Sequence, residues 1–352
     1  MDITPYLKLL RDKEGSDLFF TAAAPVKIKI EGQVSSVGKT VLTGELTKAA
    51  AYAIMTEAQI KRFEETMECD FAISLQDKSA RYRVNVFRQR GEIGMVLRRI
   101  PSEIPTIDEL GLPDVLRPLV MHRRGLILMV GATGSGKSTT LAAMINERNS
   151  KMNGHILTIE DPIEFSHPNL KSVVNQREVG VDTLSYRHAL KASLREAPDV
   201  ILIGEVRDRE TMEAALELCN TGHLCLSTLH ANNANQAMER VINLFPQELH
   251  KQLFLDLSLN IRSVISQRLV QGVDSKRVAA IEIMISTPHI SDLILKGDIY
   301  DIKEAMEQSG AKGMQTFDMA LYDLFKEQRI DLEEALNNAD SRTNLEAKIN
   351  FG

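Results

Sequence analysis

Cysteine is scarce in this 352-residue chain, which has only Cys69, Cys219 and Cys225. Three cysteines cannot form a disulfide framework, and so small and odd a number indicates a reducing compartment. No segment approaches about 18 consecutive apolar residues, so the sequence predicts no membrane-spanning helix. Residues 1–20 carry scattered charges and lack the apolar core of a signal peptide. We therefore expect a cytoplasmic protein that reaches a membrane only through a partner.

An excess of basic residues is also missing. The chain has 42 lysines and arginines against 48 aspartates and glutamates, a formal net charge of −6. Proteins that bind nucleic acid generally need a basic face, so no nucleic-acid partner is expected. A hydrophobic fraction of 43% is ordinary for a globular protein, and the length suits two domains.

The first hundred residues have the pattern of a small α+β domain. Short apolar or alternating segments predict strands, and apolar residues at helical spacing predict one helix. In chain order these are a strand over Asp17–Phe20, a strand over Val26–Ile30, a turn at Glu31-Gly32, a helix over Leu46–Glu65 and an alternating strand over Ala80–Val86. In the last of these, Arg81 and Arg83 lie on one face and the apolar residues on the other.

Residues 101–118 hold four of the eleven prolines, which predicts a linker between this domain, residues 1–100, and a second domain over residues 119–352. In the second domain short apolar runs alternate with helical stretches, the pattern of an α/β domain with a mostly buried sheet. The runs are Leu126–Val130, Ile156–Ile159, Val200–Ile203 and Leu224–Leu226. We expect helices over Gln236–Val270 and from Thr287 onward, with a solvated tail after Asp331.

One segment, Gly131–Ser138, matches the phosphate-binding motif G-x-x-x-x-G-K-[ST] in full. It follows the first apolar run and precedes a helical stretch over Thr139–Arg148, which is the context that the motif requires. Glycines let backbone N–H groups converge on a phosphate, and the start of a helix favours its negative charge. Lys137 is expected to reach the β- and γ-phosphates, and Ser138 to bind Mg²⁺.

The motif therefore predicts binding of a nucleoside triphosphate with Mg²⁺. The sequence has no N-K-x-D stretch, the usual guanine-reading segment of small GTPases, so ATP is favoured. The predicted nucleotide-binding residues are Ala132, Thr133, Gly134, Ser135, Gly136, Lys137, Ser138 and Thr139.

Hydrolysis also needs a carboxylate near the metal and a group that positions water. The third apolar run ends at Gly204-Glu205, a place typical of a Walker B acid. The second run is followed by three acids within five residues, of which Glu164 lies beyond the turn expected at Pro162. Glu164 and Glu205 are therefore candidates for the chemistry of hydrolysis, with solvated loop acids as the alternative.

Four ordered segments resemble the Walker A, Asp, Walker B and His boxes of secretion ATPases. They are Gly131–Thr139, Thr158–Phe165, Gly204–Asp208 and Thr221–His230. Over nearly its whole length the chain is similar to the type IV pilus retraction ATPases, the PilT/PilU family. The segments outside the boxes that support this are Ser16–Leu18, Arg81–Asn85, Val174–Glu178 and Gly313–Asp318.

Within that family the chain resembles the PilU-like branch. Ala197 stands where PilT-like chains usually have an acid, and Ala231 where they usually have Thr. The segment His289–Lys296 stands where PilT-like motors have an A-I-R-N-L-I-R-E box, and it lacks the arginines. The resemblance therefore implies retraction together with a PilT-like partner motor.

The resemblance implies an α/β fold, in which a PAS-like N-terminal α+β domain precedes a RecA-like P-loop ATPase domain with a helical C-terminal part. It implies a homo-hexameric ring at the cytoplasmic face of the inner membrane, acting on a pilus platform protein. By box position, Glu164 is the catalytic glutamate, Glu205 the Walker B acid that supports Mg²⁺, and His230 a residue that senses the γ-phosphate or couples it to domain motion. His223 is a second candidate for this role.

Arginines late in the first domain are candidates for stabilising the transferred phosphoryl group, as the family uses arginines of this region. The residues in question are Arg81, Arg83 and Arg98. The alternative for each is a solvated basic strand face. In the second domain, Arg195 and Arg207 are interpreted as ion-pair partners.

Cys219, His223 and Cys225 have a spacing that leaves out a fourth zinc ligand, so we expect the cysteines to be buried as small apolar residues. Pilus-assembly and type II secretion ATPases commonly carry a four-cysteine zinc module. Its absence here favours retraction over extension of the pilus.

These observations predict a hexameric ATPase that powers type IV pilus retraction, and hence twitching motility, with a PilT-like partner. Two alternatives stay open. One is a nucleotide-binding accessory subunit with little hydrolysis of its own, which the intact Glu164 and Glu205 disfavour and the altered segment His289–Lys296 favours. The other is a pilus-assembly, secretion or conjugative-transfer ATPase, the last of which the negative net charge disfavours.

Overall fold

The structure is a computed structural model that describes residues 1–30, 32–77, 79–101, 103–274 and 276–351. It has two compact units, of which the first comprises Met1–Glu103 and Glu164–Ser166, and the second the rest of the chain from Ile104. Half of the predicted turn at Glu31-Gly32 lies outside the described residues, because Glu31 is not among them. Ile107 and Leu116, in the segment predicted as a linker, are buried in the core of the second unit.

The first unit is built on an antiparallel six-stranded sheet with the order β3-β2-β1-β6-β5-β4. Its strands are β1 Asp17–Phe20, β2 Pro25–Ile30, β3 Gln33–Val41, β4 Glu68–Ser74, β5 Arg81–Gln89 and β6 Glu92–Ile100. Its helices are α1 Thr4–Asp12, α2 Gly44–Tyr52 and α3 Glu57–Thr66. Apolar side chains from the sheet and the helices form one core, which includes Phe20, Phe63 and Tyr82.

The single helix predicted over Leu46–Glu65 is wrong, because the chain breaks it after Tyr52. Thr56 starts a new helix with a capping box, in which its hydroxyl accepts from the Gln59 backbone N–H and the Gln59 side chain accepts from the Thr56 N–H. A reciprocal cap of this kind satisfies two N–H groups that a helix start otherwise leaves unpaired, so it fixes the boundary. The alternation predicted around Tyr82 is confirmed, since Tyr82, Val84 and Val86 are fully buried.

The second unit is built on a seven-stranded sheet with the order β13-β12-β7-β11-β10-β8-β9. Its strands are β7 Gly125–Val130, β8 Gly154–Glu160, β9 Ser172–Glu178, β10 Val200–Ile203, β11 Leu224–Leu229, β12 Ile261–Gln271 and β13 Arg277–Ile285. All neighbours are parallel except β12 and β13. The four predicted apolar runs are confirmed as β7, β8, β10 and β11, so the segments that follow them emerge at one edge of the sheet.

Eleven α-helices are described in the second unit. They are α4 Leu116–Val120, α5 Lys137–Lys151, α6 Tyr186–Ser193, α7 Arg209–Asn220, α8 Ala234–Asn243, α9 His250–Asn260, α10 Pro288–Lys296, α11 Ile302–Glu307, α12 Phe317–Lys326, α13 Leu332–Asn338 and α14 Arg342–Phe351. Short 3₁₀ turns cover Gln247–Leu249 and Ile299–Asp301. Among the residues that the structure describes, no helix is long and apolar enough to span a membrane.

Two predictions for the second unit are wrong. The helix expected up to Val270 ends at Asn260, and β12 follows, buried between β7 and β13. This strand mixes apolar and polar residues and is buried over most of its length, so its sequence lacks the regular alternation that marks a half-buried strand. The tail after Asp331 is not simply solvated, because it forms α13 and α14 and buries Leu336 and Leu345. Each helix buries only one large apolar residue, too few to stand out in a polar sequence.

Candidate active site

The predicted phosphate loop connects β7 to α5 at the carboxyl edge of the sheet. Gly134 and Gly136 have φ angles of +79° and +86°, a backbone conformation that glycine adopts without strain. The Nζ of Lys137 donates to the carbonyl oxygens of Gly131 and Ala132, at 2.8 and 2.9 Å. The loop therefore forms a tight turn with the lysine folded across it, as the strand, loop and helix context predicted.

A side chain from β12 holds the loop to the helix that follows it. The Nε2 of Gln267 donates to the Ser135 carbonyl oxygen at 2.8 Å, and its Oε1 accepts from the Thr140 hydroxyl, also at 2.8 Å. Gln267 and Thr140 are 3% and 1% exposed, so water does not compete for either bond. We call this arrangement the Gln267 bridge.

A cavity of about 320 Å³ lies beside the loop, within the second unit. Its lining includes the loop itself, Gln267 and other residues from later in the chain. The lining residues are Gly131, Ala132, Thr133, Gly134, Ser135, Asn232, Gln267, Arg268, Leu269, Arg277 and Asn338. The size and the polar lining suit a small charged molecule.

A second group of polar residues follows the neighbouring strands β10 and β11. Oε1 of Glu205 lies 3.2 Å from Nε2 of His230, and its Oε2 accepts from Nε of Arg207 at 2.8 Å. The Glu205 side chain is 16% exposed, whereas His230 and Arg207 are 42% and 65% exposed. We call these three residues the Glu205 cluster. The structure thus brings together two residues that the boxes predicted separately, Glu205 and His230.

Two pKa values in and around the Glu205 cluster are raised, one mainly by a hydrogen bond and the other mainly by burial. Its carboxylate raises the pKa of Arg207, chiefly through their hydrogen bond, so the guanidinium stays charged. Tyr186 lies close to Gly204, and burial, together with the Asp161 carboxylate, raises the pKa of its hydroxyl. The tyrosine therefore stays neutral beside the charged pair.

The acidic box after β8 divides into a buried and an exposed part. Glu160 is 9% exposed, and its carboxylate accepts from the Thr158 hydroxyl at 2.6 Å and from the Gln176 amide at 3.2 Å. Glu164 is exposed to solvent and groups with the first unit, whereas the phosphate loop and the Glu205 cluster belong to the second. Glu160 is therefore held by the sheet, and Glu164 lies outside it.

The three candidate arginines share one face of the first unit's sheet. Arg83 lies directly opposite Arg98 on the neighbouring strand, and Arg81 lies two residues before Arg83. Arg98 forms an ion pair of 2.9 Å with the buried Asp17, and Arg83 a longer one of 3.8 Å with Asp70. The guanidinium of Arg98 remains largely exposed in spite of its ion pair.

His223 and the cysteines lie away from these groups. His223 precedes β11 and its Nδ1 contacts the Leu218 carbonyl at 3.0 Å, so it is at the opposite end of the strand from His230. Cys219 and Cys225 are fully buried. Within the described ranges of the chain, no three His, Cys, Asp or Glu residues are grouped in a way that could hold a metal ion.

Comparison with known proteins identifies the family. The sequence model of the Type II/IV secretion system protein family matches residues 3–328. The chain belongs to this family. The recognised PilT/PilU resemblance is confirmed by two relatives from Pseudomonas aeruginosa. The type IV pilus ATPase PilU is 51% identical over all of this chain and 92% of its own length, and the retraction ATPase PilT is 44% identical over 96% of this chain and 98% of its own.

Solved structures support the same assignment. A crystal structure of the pilus retraction motor PilT with bound ADP superimposes with a TM-score of 0.92, at 39% identity, over 98% of this chain and 99% of that one. The Legionella pneumophila ATPase DotB gives 0.83 at 27% identity, over 95% and 93%. The predicted fold class is confirmed, and this secretion ATPase is a pilus-related enzyme that hydrolyses ATP.

Sequence reasoning about this secretion ATPase missed the Gln267 bridge. Gln267 falls in the segment that was predicted to be helical, and that prediction gave no indication that its side chain contacts the phosphate loop. Thr140 lies two residues beyond the motif. Had Ile261–Gln271 been interpreted as a strand next to β7, a polar residue in a buried strand near the loop would have been a signal.

Proposed function

We propose that this secretion ATPase forms a homo-hexamer that powers type IV pilus retraction together with a PilT-like partner motor. The observation that carries the proposal is similarity over nearly the full length of both chains to PilU and to PilT, the second of which is named for retraction. The ring would work at the cytoplasmic face of the inner membrane, on a platform protein of the pilus. Twitching motility is the expected outcome in the cell.

The substrate is ATP, bound through the loop residues 132–139. Lys137 and the helix start supply positive charge for the phosphates. Oxygen donors suit Mg²⁺, and Ser138 and Glu205 would hold it. Glu205 fits this role, because each carboxylate oxygen has one bond in the cluster and keeps a second acceptor site. When bound, the ion would neutralise phosphate charge.

In this proposal Glu164 positions and polarises the attacking water. His230 senses the γ-phosphate through its contact with Glu205, since a change at one side chain alters the hydrogen bond of the other. One of Arg81, Arg83 and Arg98, from this chain or from a neighbour in the ring, stabilises charge on the transferred phosphoryl group. The proposed domains are residues 1–100, joined by 101–118 to the ATPase domain 119–352.

Dependence on a partner is supported by α10. This helix buries Ile290, Leu293 and Ile294 and exposes Leu295, in the segment where PilT-like motors carry arginines. Lys296, its only basic residue besides His289, is held by Asp292 at 2.6 Å. The same feature favours the second candidate, an accessory subunit that binds ATP and hydrolyses little alone.

The test is phosphate release from ATP by the purified protein, by Lys137→Ala and by Glu164→Ala, each with and without a PilT-like ATPase. We expect wild type to hydrolyse ATP, both variants to fall to background, and the mixture to exceed the sum of its parts. Wild-type release no higher than that of the variants, with ATP still bound, would replace the motor with the accessory subunit. Size measurement in the presence of ATP tests the hexamer.

A further inference from the structure

Gln267 lies so close to two glycines of the phosphate loop that neither position has room for a side chain. A Cβ at Gly136 would lie 2.7 Å from Nε2 of Gln267, and one at Gly131 would lie 2.5 Å from its carbonyl oxygen. The neighbouring residue on β12, Ser266, pairs with Val130, the last residue of β7. The position of Gln267 relative to the loop is therefore fixed by the sheet itself.

The amide of Gln267 has both of its functions engaged, and this sets its orientation. The Ser135 carbonyl can only accept, so Nε2 must be the atom that faces it, and Oε1 then accepts from the Thr140 hydroxyl. Exchanging the two ends of the amide would place an oxygen against the carbonyl oxygen and lose the bond to Ser135. The Thr140 hydroxyl supports the glutamine in this orientation by donating to the end of the amide that faces away from Ser135.

Holding the Ser135 carbonyl also fixes the next N–H group. The peptide bond between Ser135 and Gly136 is trans. In a planar trans peptide the C=O and the following N–H point in opposite directions. The N–H of Gly136 is therefore directed away from Gln267. Backbone N–H groups of such a loop are what bind the phosphates of a nucleotide.

We propose that Gln267 is a positioning residue for the nucleotide, which holds the Ser135–Gly136 peptide so that the Gly136 N–H is presented to a phosphate, and that Thr140 supports the glutamine in this position. The inference rests on the proposed binding of ATP at this loop. Gln267 does not contact the reacting atoms in this account. It acts through the loop, and its effect is on affinity.

The test is the dissociation constant for a fluorescent ATP and a fluorescent ADP, measured with folded protein. Gln267→Glu keeps the shape and the acceptor for Thr140 but cannot donate to Ser135, so we expect both constants to rise by about tenfold or more. Gln267→Met removes both bonds at similar volume and should raise them by about fivefold. Thr140→Val removes only the supporting bond to Oε1 and should raise them by about threefold.

Gln271→Glu is the matched control, since it makes the same change at an exposed position four residues along the same strand. It should stay within about twofold of wild type. Thermal unfolding without nucleotide is measured in parallel. A purely structural role for Gln267 predicts a lower melting temperature with unchanged dissociation constants, and that result would overturn the inference.

The outcomes also separate this inference from the proposed function. If wild type does not bind ATP, the proposed function fails, and the inference with it. If wild type binds and the Gln267 variants bind equally well, only the inference fails. Should neither Gln267 variant fold, Thr140→Val decides, because the inference expects the loss of its bond to Gln267 to weaken binding, and normal affinity in that variant would overturn it.

Discussion

The phosphate loop and the Glu205 cluster lie at the same edge of one sheet but are held by different interactions. The loop is held by the Gln267 bridge, which joins two neutral side chains that are 3% and 1% exposed. The Glu205 cluster is held by a carboxylate that pairs with Arg207 and contacts His230, and two of its three side chains are 42% and 65% exposed.

Buried neutral hydrogen bonds keep their partners at any ionic strength and over a wide pH range, because neither group carries a charge. Exposed charged bonds are weak and are exchanged at little cost. The comparison suggests a division of labour in which the loop binds nucleotide in one fixed conformation and the Glu205 cluster rearranges during the cycle. The predictions below test this division.

The largest effect is expected from Glu205→Gln. It keeps the size of the side chain and removes the charge that holds Arg207 and that would support Mg²⁺. We expect steady-state phosphate release to fall about 100-fold, while the dissociation constant for ATP changes by less than about threefold. This is the reverse of the pattern expected for Gln267, where affinity changes most.

Glu248→Gln, at an exposed position in a 3₁₀ turn, is the control for the charge change and should behave as wild type. Equal losses of affinity and of turnover in Glu205→Gln would show that the cluster binds nucleotide as the loop does. The proposed division between the two groups would then be abandoned.

A stability effect of about 2 kcal/mol is expected from His167 as the pH falls. Burial lowers the pKa of His167 to about 4, and its Nδ1 is buried with no partner among the described residues. The unfolded chain takes up a proton near pH 6.5, whereas the folded chain does so only near pH 4. Stability is therefore full above pH 6.5 and decreases as the pH falls from 6.5 towards 4.

Urea unfolding at pH 7.5, 6.0 and 5.0 measures this loss of stability. The loss also limits the pH range in which the phosphate loop and the Glu205 cluster can be compared. His167→Gln should show a smaller decrease, because its side chain does not titrate. His188→Gln, at an exposed position, should show the wild-type decrease. The same slope in all three proteins would assign the pH dependence to other groups.

The same contrast explains what could be predicted from sequence. The loop motif, β7, β10 and the acids after the strands follow from local patterns, because apolar runs and glycine spacing report on nearby structure. The Gln267 bridge joins residues 127 positions apart and depends on β12 lying next to β7. No local pattern encodes that adjacency, and β12 was predicted to be helical. The contact between Glu205 and His230 can be predicted only when both residues have been placed at the ends of neighbouring strands.

A tenfold loss of turnover is expected from His230→Gln, since one hydrogen bond to a charged carboxylate is lost or weakened, worth about 1.4 kcal/mol. The matched variant is His223→Gln, which changes a histidine at the other end of β11 and should retain wild-type turnover. Phosphate release at saturating ATP measures both. A larger loss in His223→Gln than in His230→Gln would transfer the proposed sensor role to His223.

The smallest effect is expected from Arg207→Met. Its side chain is 65% exposed, and an exposed ion pair contributes only about 0.2–1 kcal/mol, so turnover should change by about two- to threefold. The difference from wild type should shrink as salt is raised from 50 to 500 mM, because salt screens an exposed pair. Affinity changes caused by the Gln267 variants should not depend on salt in this way, since those bonds are neutral and buried. A loss above about 30-fold that persists at high salt would mean that Arg207 acts on the phosphates directly, and the Glu205 cluster would then belong to the binding site rather than to a separate, rearranging group.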